Sequence, residues 1–158
     1  MLRKEYEKAI AESQESVDLA PNSAQANFIY GMVLRNAGRY DEAIPFLEKA
    51  IRLEPITPVN YLNNLAWAYA SLAQYEKAIQ LWNKAIEKNP DYLFAYQGLT
   101  VAHQLLGNRD RAKECAAEVL RIKPTMTIAK LQKGITAKNE TDRARIINAY
   151  REAGIPEK

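Results

Sequence analysis

Large apolar residues recur along this chain at helical spacing, and recur again one repeat length later. Tyr30, Leu65 and Leu99 hold equivalent places, as do Leu47 and Trp82. Small residues keep the same register, with Gly31, Ala66 and Thr100 as one set and Ala43, Ala78 and Ala112 as another. Spacings of three, four and seven within each stretch predict amphipathic helices, and the small sets mark where two helices cross closely. Pro21, Pro55, Pro90 and Pro124 fall 34, 35 and 34 residues apart. Each follows a predicted second helix, which a residue without an N–H cannot continue.

Each full unit therefore predicts two antiparallel helices joined by a short turn. The turns read Gly38-Arg39-Tyr40-Asp41 and Gly107-Asn108-Arg109-Asp110, where Gly suits a positive φ and Asp suits the N-cap of the next helix. The division is a lone second helix over residues 1–21, full units over 22–55, 56–90 and 91–124, and a capping helix pair over 125–158. The unit ending at Pro90 has one extra residue near Ile56-Thr57-Pro58, and Pro58 is expected in the first turn of the next helix. Pro45 lies early in a helix and predicts a slight kink. Leu2, Tyr6, Ala9, Val17 and Ala20 line one face of the opening helix. After Pro124, Ile128, Leu131 and Ile135 predict one more helix and Lys138-Asn139-Glu140 a turn. Thr141 is the expected N-cap of a last helix striped by Ile146, Ile147 and Tyr150, which Gly154 and Pro156 end.

At these positions the chain resembles the tetratricopeptide repeat family, whose pattern is W-x2-L-G-x2-Y, then A-x3-F, then P. It appears as Asn27-x2-Tyr30-Gly31-x2-Leu34 with Ala43-x3-Leu47 and Pro55, and as Leu62-x2-Leu65-Ala66-x2-Tyr69 with Ala78-x3-Trp82 and Pro90. The most divergent copy is Tyr96-x2-Leu99-Thr100-x2-His103 with Ala112-x3-Ala116 and Pro124. The resemblance implies an all-α, right-handed solenoid of antiparallel helix pairs, about nine helices in total. It also implies a non-enzymatic interaction module without a cofactor. The opening half-repeat leaves one helix face bare. The expectation is a natural protein that continues upstream of Met1; the alternative is a homodimer through the bare N-terminal helix or the groove. The ending from Tyr150 to Glu157 resembles the tail of some bacterial nucleotide-cyclase-like repeat proteins. That implies a bacterial source and a regulatory or targeting C-terminal module of a larger enzyme.

In this family the first helices line a concave groove that holds peptides. The rows facing it would be Gln25, Phe28, Ile29, Met32 and Arg35, then Asn60, Asn63, Asn64, Trp67 and Ser71, then Phe94, Gln97, Gly98, Val101 and Gln104. Phe28, Met32, Trp67, Phe94 and Val101 form the expected apolar strip, with Asn60, Asn63, Asn64 and Gln97 as amide contacts to a peptide backbone. Trp67 is expected to be open to the groove, because Leu62, Leu65 and Tyr69 fill the packing slots of its helix. The positions with which chaperone-binding members grip C-terminal carboxylates hold Phe28, Met32, Asn64, Phe94 and Gly98 here, so only the Asn matches. An asparagine ladder would use Ile29, Asn64 and Gly98 and keeps one rung. The implied partner is an apolar or amphipathic polypeptide segment.

Composition limits the alternatives. With 158 residues, 47% apolar and 26% charged, the chain supports a sizeable core and is not of disordered composition. Residues 1–124 are electrically neutral and the net +3 lies in the last 34 residues. The basic residues form no clustered stripe, so a solvated cap is expected rather than a nucleic-acid contact. No apolar run reaches membrane-span length and Met1-Leu2-Arg3-Lys4-Glu5 opens no signal peptide, so no membrane contact and a cytoplasmic location are expected. One Cys excludes an internal disulfide framework, and one His with one Cys cannot supply a structural zinc site. A Cys115–His103 pair is geometrically conceivable, but nothing in the sequence orients the imidazole. The expectation is a packing role for both.

Overall fold

The computed structural model describes residues 2–135 and 140–158, with side chains from residue 5 onward. The described residues form nine helices: α1 (Leu2–Leu19), α2 (Ala24–Asn36), α3 (Tyr40–Leu53), α4 (Val59–Ser71), α5 (Tyr75–Lys88), α6 (Leu93–Leu105), α7 (Arg109–Ile122), α8 (Ile128–Gly134) and α9 (Glu140–Glu152). They gather into two compact units, Met1–Gln74 and Tyr75–Lys158. That division falls inside the sequence repeat 56–90 rather than at a proline.

Turn chemistry recurs with the repeat. Gly38 and Gly107 adopt φ of 77° and 81°, and Ala73 holds the equivalent place at 58°. Beyond each, a backbone N–H reaches five residues back: Arg39 to Leu34 O (2.9 Å), Gln74 to Tyr69 O (2.9 Å) and Asn108 to His103 O (2.8 Å). This is the Schellman closure, which satisfies carbonyls that the helix end leaves open. Gly154 repeats it after α9, with Ile155 donating to Tyr150 O at 3.1 Å. An L-residue such as Ala73 is strained there, whereas glycine is not. Ala73→Gly is therefore expected to stabilise the protein by about 1 kcal/mol, read as a higher urea midpoint with unchanged slope.

Several helix starts differ from expectation. The N-caps of α3 and α7 are Arg39 and Asn108, neither with a side-chain cap bond, and Asp41 and Asp110 lie inside the first turns. There the carboxylates favour the helix through its dipole rather than by capping. Pro58 is itself the N-cap of α4, in extended conformation. α3 runs unbroken through Pro45, which is exposed near the helix start. Ser23 and Thr127 do cap, their hydroxyls accepting from Ala26 N–H (3.2 Å) and Lys130 N–H (3.3 Å). Helix α9 starts at Glu140, so Thr141 is within its first turn, and Lys138 and Asn139 of the expected turn lie outside the described residues.

In the first unit α2 packs on α1, α3 and α4, and α3 packs on α4. Leu34, Ala43, Leu47 and Ala50 are fully buried. Leu47 fits against Gly31, where an added Cβ would sit 2.7 Å from the leucine Cγ. Asn27 is also fully buried, and its amide donates to Pro21 O (2.9 Å) and Ser23 O (2.8 Å), tying the loop to α2. Tyr69 donates its hydroxyl to Glu48 at 2.5 Å, and burial with that bond pushes the phenol up to about 12. The side of α1 left to solvent carries Glu5, Lys8, Glu12 and Glu15, with Ala11 and Leu19 as apolar exceptions.

In the second unit α6 packs on α5, α7 and α9, and α8 packs on α9. Trp82 is fully buried against Gly98. A further cluster of Ile128, Leu131, Ile147, Tyr150 and Ile155 holds the C-terminal helices. Ile128 N–H donates to Pro156 O at 2.8 Å, so the end of the chain satisfies an open donor at the start of α8.

Candidate functional site

Helices α2 and α4 bring two of the expected rows side by side. Residues 25, 28, 29, 32 and 35 share one face of α2, and residues 60, 63, 64 and 67 share one face of α4, by helical spacing. The two helices meet where Phe28 stacks on Tyr61, with ring centroids 4.0 Å apart and planes 10° from parallel. Phe28 is left only 8% exposed. Its ring joins the helices rather than standing open as an anchor, which corrects the expectation. Tyr61, absent from the expected rows, is the reason.

Asn64 is also mostly withdrawn, at 9% exposure, and its amide donates to Asn60 O of its own helix at 2.8 Å. A peptide could still use its carbonyl oxygen and its second amide N–H. Asn60 is exposed, Met32, Asn63 and Trp67 are half-buried, and Gln25 and Ile29 are exposed. The apolar surface that remains available comes from Ile29, Met32 and Trp67. Arg35 continues the α2 row. Its Nη2 donates to Asn36 Oδ1 at 2.7 Å, while Nε is shielded from water and has no hydrogen-bond partner. Burial lowers the guanidinium from its ordinary value, and the phenols of Tyr40 and Tyr6 partly offset this.

In the second unit the expected row divides. Phe94 is 54% exposed and meets Tyr92 edge-on, with centroids 5.7 Å apart. Gln97 is half-buried. Val101 is only 2% exposed, contrary to its expected place in an open strip. Helix α9 packs on α6, and Gln104, one turn beyond Val101, donates to Glu152 at 2.5 Å. This face of α6 is therefore taken by the chain's own C-terminal helix. The Ile147–Tyr150 stripe predicts such a buried helix, but a stripe does not say which partner it covers.

The surroundings of His103 and Cys115 disfavour a nucleophilic pair. Burial pushes the thiol up to about 11, away from the thiolate that such chemistry needs. Burial and the neighbouring Arg111 hold His103 below 6.5, and its Nδ1 is shielded without a partner. Among the described residues no three of His, Cys, Asp and Glu gather as a metal site, and no helix is long and apolar enough to cross a membrane. The His103 shift has a consequence for stability. The folded state favours the neutral ring more than the unfolded chain does. Its contribution is therefore full above pH 6.5 and is lost as pH falls through the lower folded value. The melting temperature is expected to fall more steeply between pH 7 and about 5 in the wild type than in His103→Leu, measured by scanning calorimetry.

Known proteins fit this arrangement. Two tetratricopeptide repeat profiles match residues 34–101 and 3–56. The Hsp70-Hsp90 organizing protein of Triticum aestivum is 34% identical over 90 residues, which span 57% of this chain and 15% of that protein. Among solved structures, MamA superposes with a TM-score of 0.72 at 23% identity, over 96% of this chain and 88% of its own. YrrB, described as a TPR protein with an unusual peptide-binding site, superposes with a TM-score of 0.66 at 23% identity, over 95% of this chain and 77% of its own. The paired helices, their turns and the matched repeats agree, and the chain belongs to the tetratricopeptide repeat family.

Proposed function

We propose that the first unit binds an amphipathic polypeptide segment on the joint face of α2 and α4, without catalysing a reaction. The observation that carries this is the survival of accessible apolar surface on that face. Phe28 and Tyr61 are spent on joining the helices, yet Ile29, Met32 and Trp67 still reach solvent beside Asn60 and Asn63. Trp offers a large apolar area with one N–H, and residues of this kind dominate binding free energy at many interfaces. The amides can both donate to and accept from an extended backbone. Phe94 and Gln97 in the second unit are a separate and smaller set of contacts, because Val101 and Gln104 are occupied by the molecule itself. YrrB, of similar fold, has a described peptide-binding site, which is in keeping with this reading.

Self-association through α1 has less support, since the solvent side of that helix is largely charged. The docking reading predicts that Trp67→Ala weakens a captured partner about thirtyfold, or about 2 kcal/mol, in isothermal titration. An equal exchange of Leu19, exposed at the C-terminal end of α1, is expected to leave affinity unchanged. Unchanged binding by Trp67→Ala would remove α4 from the site.

A further inference from the structure

The charge of Arg35 is not balanced within the molecule. Arg39, Arg111, Arg121, Arg145 and Arg151 each reach a carboxylate. Arg35 reaches only the neutral Asn36, its Nε has no partner, and the titratable groups acting on it from the helices packed around α2 are the phenols of Tyr6 on α1 and Tyr40 on α3. A half-buried cation with a shielded Nε and no counter-charge is unfavourable, and an arriving anion would relieve that. The guanidinium presents a planar fork that matches a carboxylate better than a point charge does, and phenol hydroxyls can donate to the same oxygens. Arg35 lies three residues beyond Met32 on one face of α2, so a ligand gripped by both would carry an acidic residue close to an apolar one.

We propose that Arg35, flanked by Tyr6 and Tyr40, recognises an aspartate or glutamate side chain within the amphipathic segment that docks on α2 and α4. This rests on the docking reading above. It is distinct from the C-terminal carboxylate grip of chaperone-binding relatives, whose positions on this helix hold Phe28 and Met32.

The test uses the full chain and two amidated, acetylated pentapeptides, four leucines around a central glutamate and the same with glutamine. The Nε–H resonance of Arg35 is followed by NMR during titration with each peptide, with sodium acetate and with inorganic phosphate. The expected result is that the glutamate peptide binds about tenfold more tightly and shifts the Arg35 signal. Arg35→Met should abolish that difference while raising the melting temperature by about 2–4 °C, since it removes a half-buried charge without a counter-charge and keeps the aliphatic stem. Equal binding of the two peptides to the wild type would overturn the proposal and leave the docking face intact. Binding of neither peptide, with acetate still shifting the signal, would instead overturn the docking reading and leave Arg35 as a carboxylate site. No shift with any probe, a phosphate shift that exceeds those of acetate and the glutamate peptide, or a lower melting temperature for Arg35→Met would each overturn the assignment.

Discussion

Trp82→Ala is expected to cost about 3–5 kcal/mol, the largest loss from any single truncation among the described residues. The indole is fully buried and, among the described residues, is the largest side chain with no solvent exposure. Removing it forfeits its transfer free energy and leaves a cavity in a layer where α5 packs on α6. Ala78 and Ala85, buried one turn to either side on the same face of α5, are too short to close that space. Two outcomes should appear together in urea titration: a lower midpoint, and an unchanged slope if the unfolded state is unaffected. A loss below about 1 kcal/mol would mean that the layer collapses around the gap, against the close packing described here.

Gly98→Ala is expected to be nearly as damaging, at about 2–3 kcal/mol, although it adds a single methyl group. A Cβ at this position would stand 2.2 Å from Trp82 Cε2 and Cζ2. A flexible side-chain tip could swing aside, whereas a rigid, fully buried indole can make room only by shifting its packed surroundings. The pair should therefore couple. Trp82→Leu places at 82 the residue type that serves at Leu47, and in that background Gly98→Ala should cost at least 1 kcal/mol less than in the wild type. A double-mutant cycle by chemical denaturation measures this directly, and strict additivity would show that Gly98 matters for some reason other than room for the ring.

Most of the architecture is readable because its causes are local and periodic. Helix faces, the glycine turns at Gly38 and Gly107, and the stopping prolines each follow from a few neighbouring residues, and the 34-residue register multiplies a weak pattern. The candidate site is less readable because its state depends on residues far apart in the chain. Phe28 fits an open apolar row equally well whether or not Tyr61 lies over it. Val101 fits the same row until α9 covers α6. Gly98 reads as a lost rung of an asparagine ladder when only its own helix is considered. Beside Trp82 it is the space that an indole needs. Arg35 reads as one more member of the groove-facing row until its lack of a carboxylate is seen.

The two close fits also set where the chain tolerates exchange of parts. Gly31 and Leu47 lie within one sequence repeat, so a segment cut at Pro21 and Pro55 carries both partners. Trp82 and Gly98 lie on either side of Pro90, so a cut there separates the ring from the glycine that receives it. A graft of residues 56–90 into another array would need a glycine waiting at the following position. An unrelated repeat placed after Pro90 would meet an indole with nowhere to go. A transplant that keeps the ring with its glycine has to be cut outside residues 82–98.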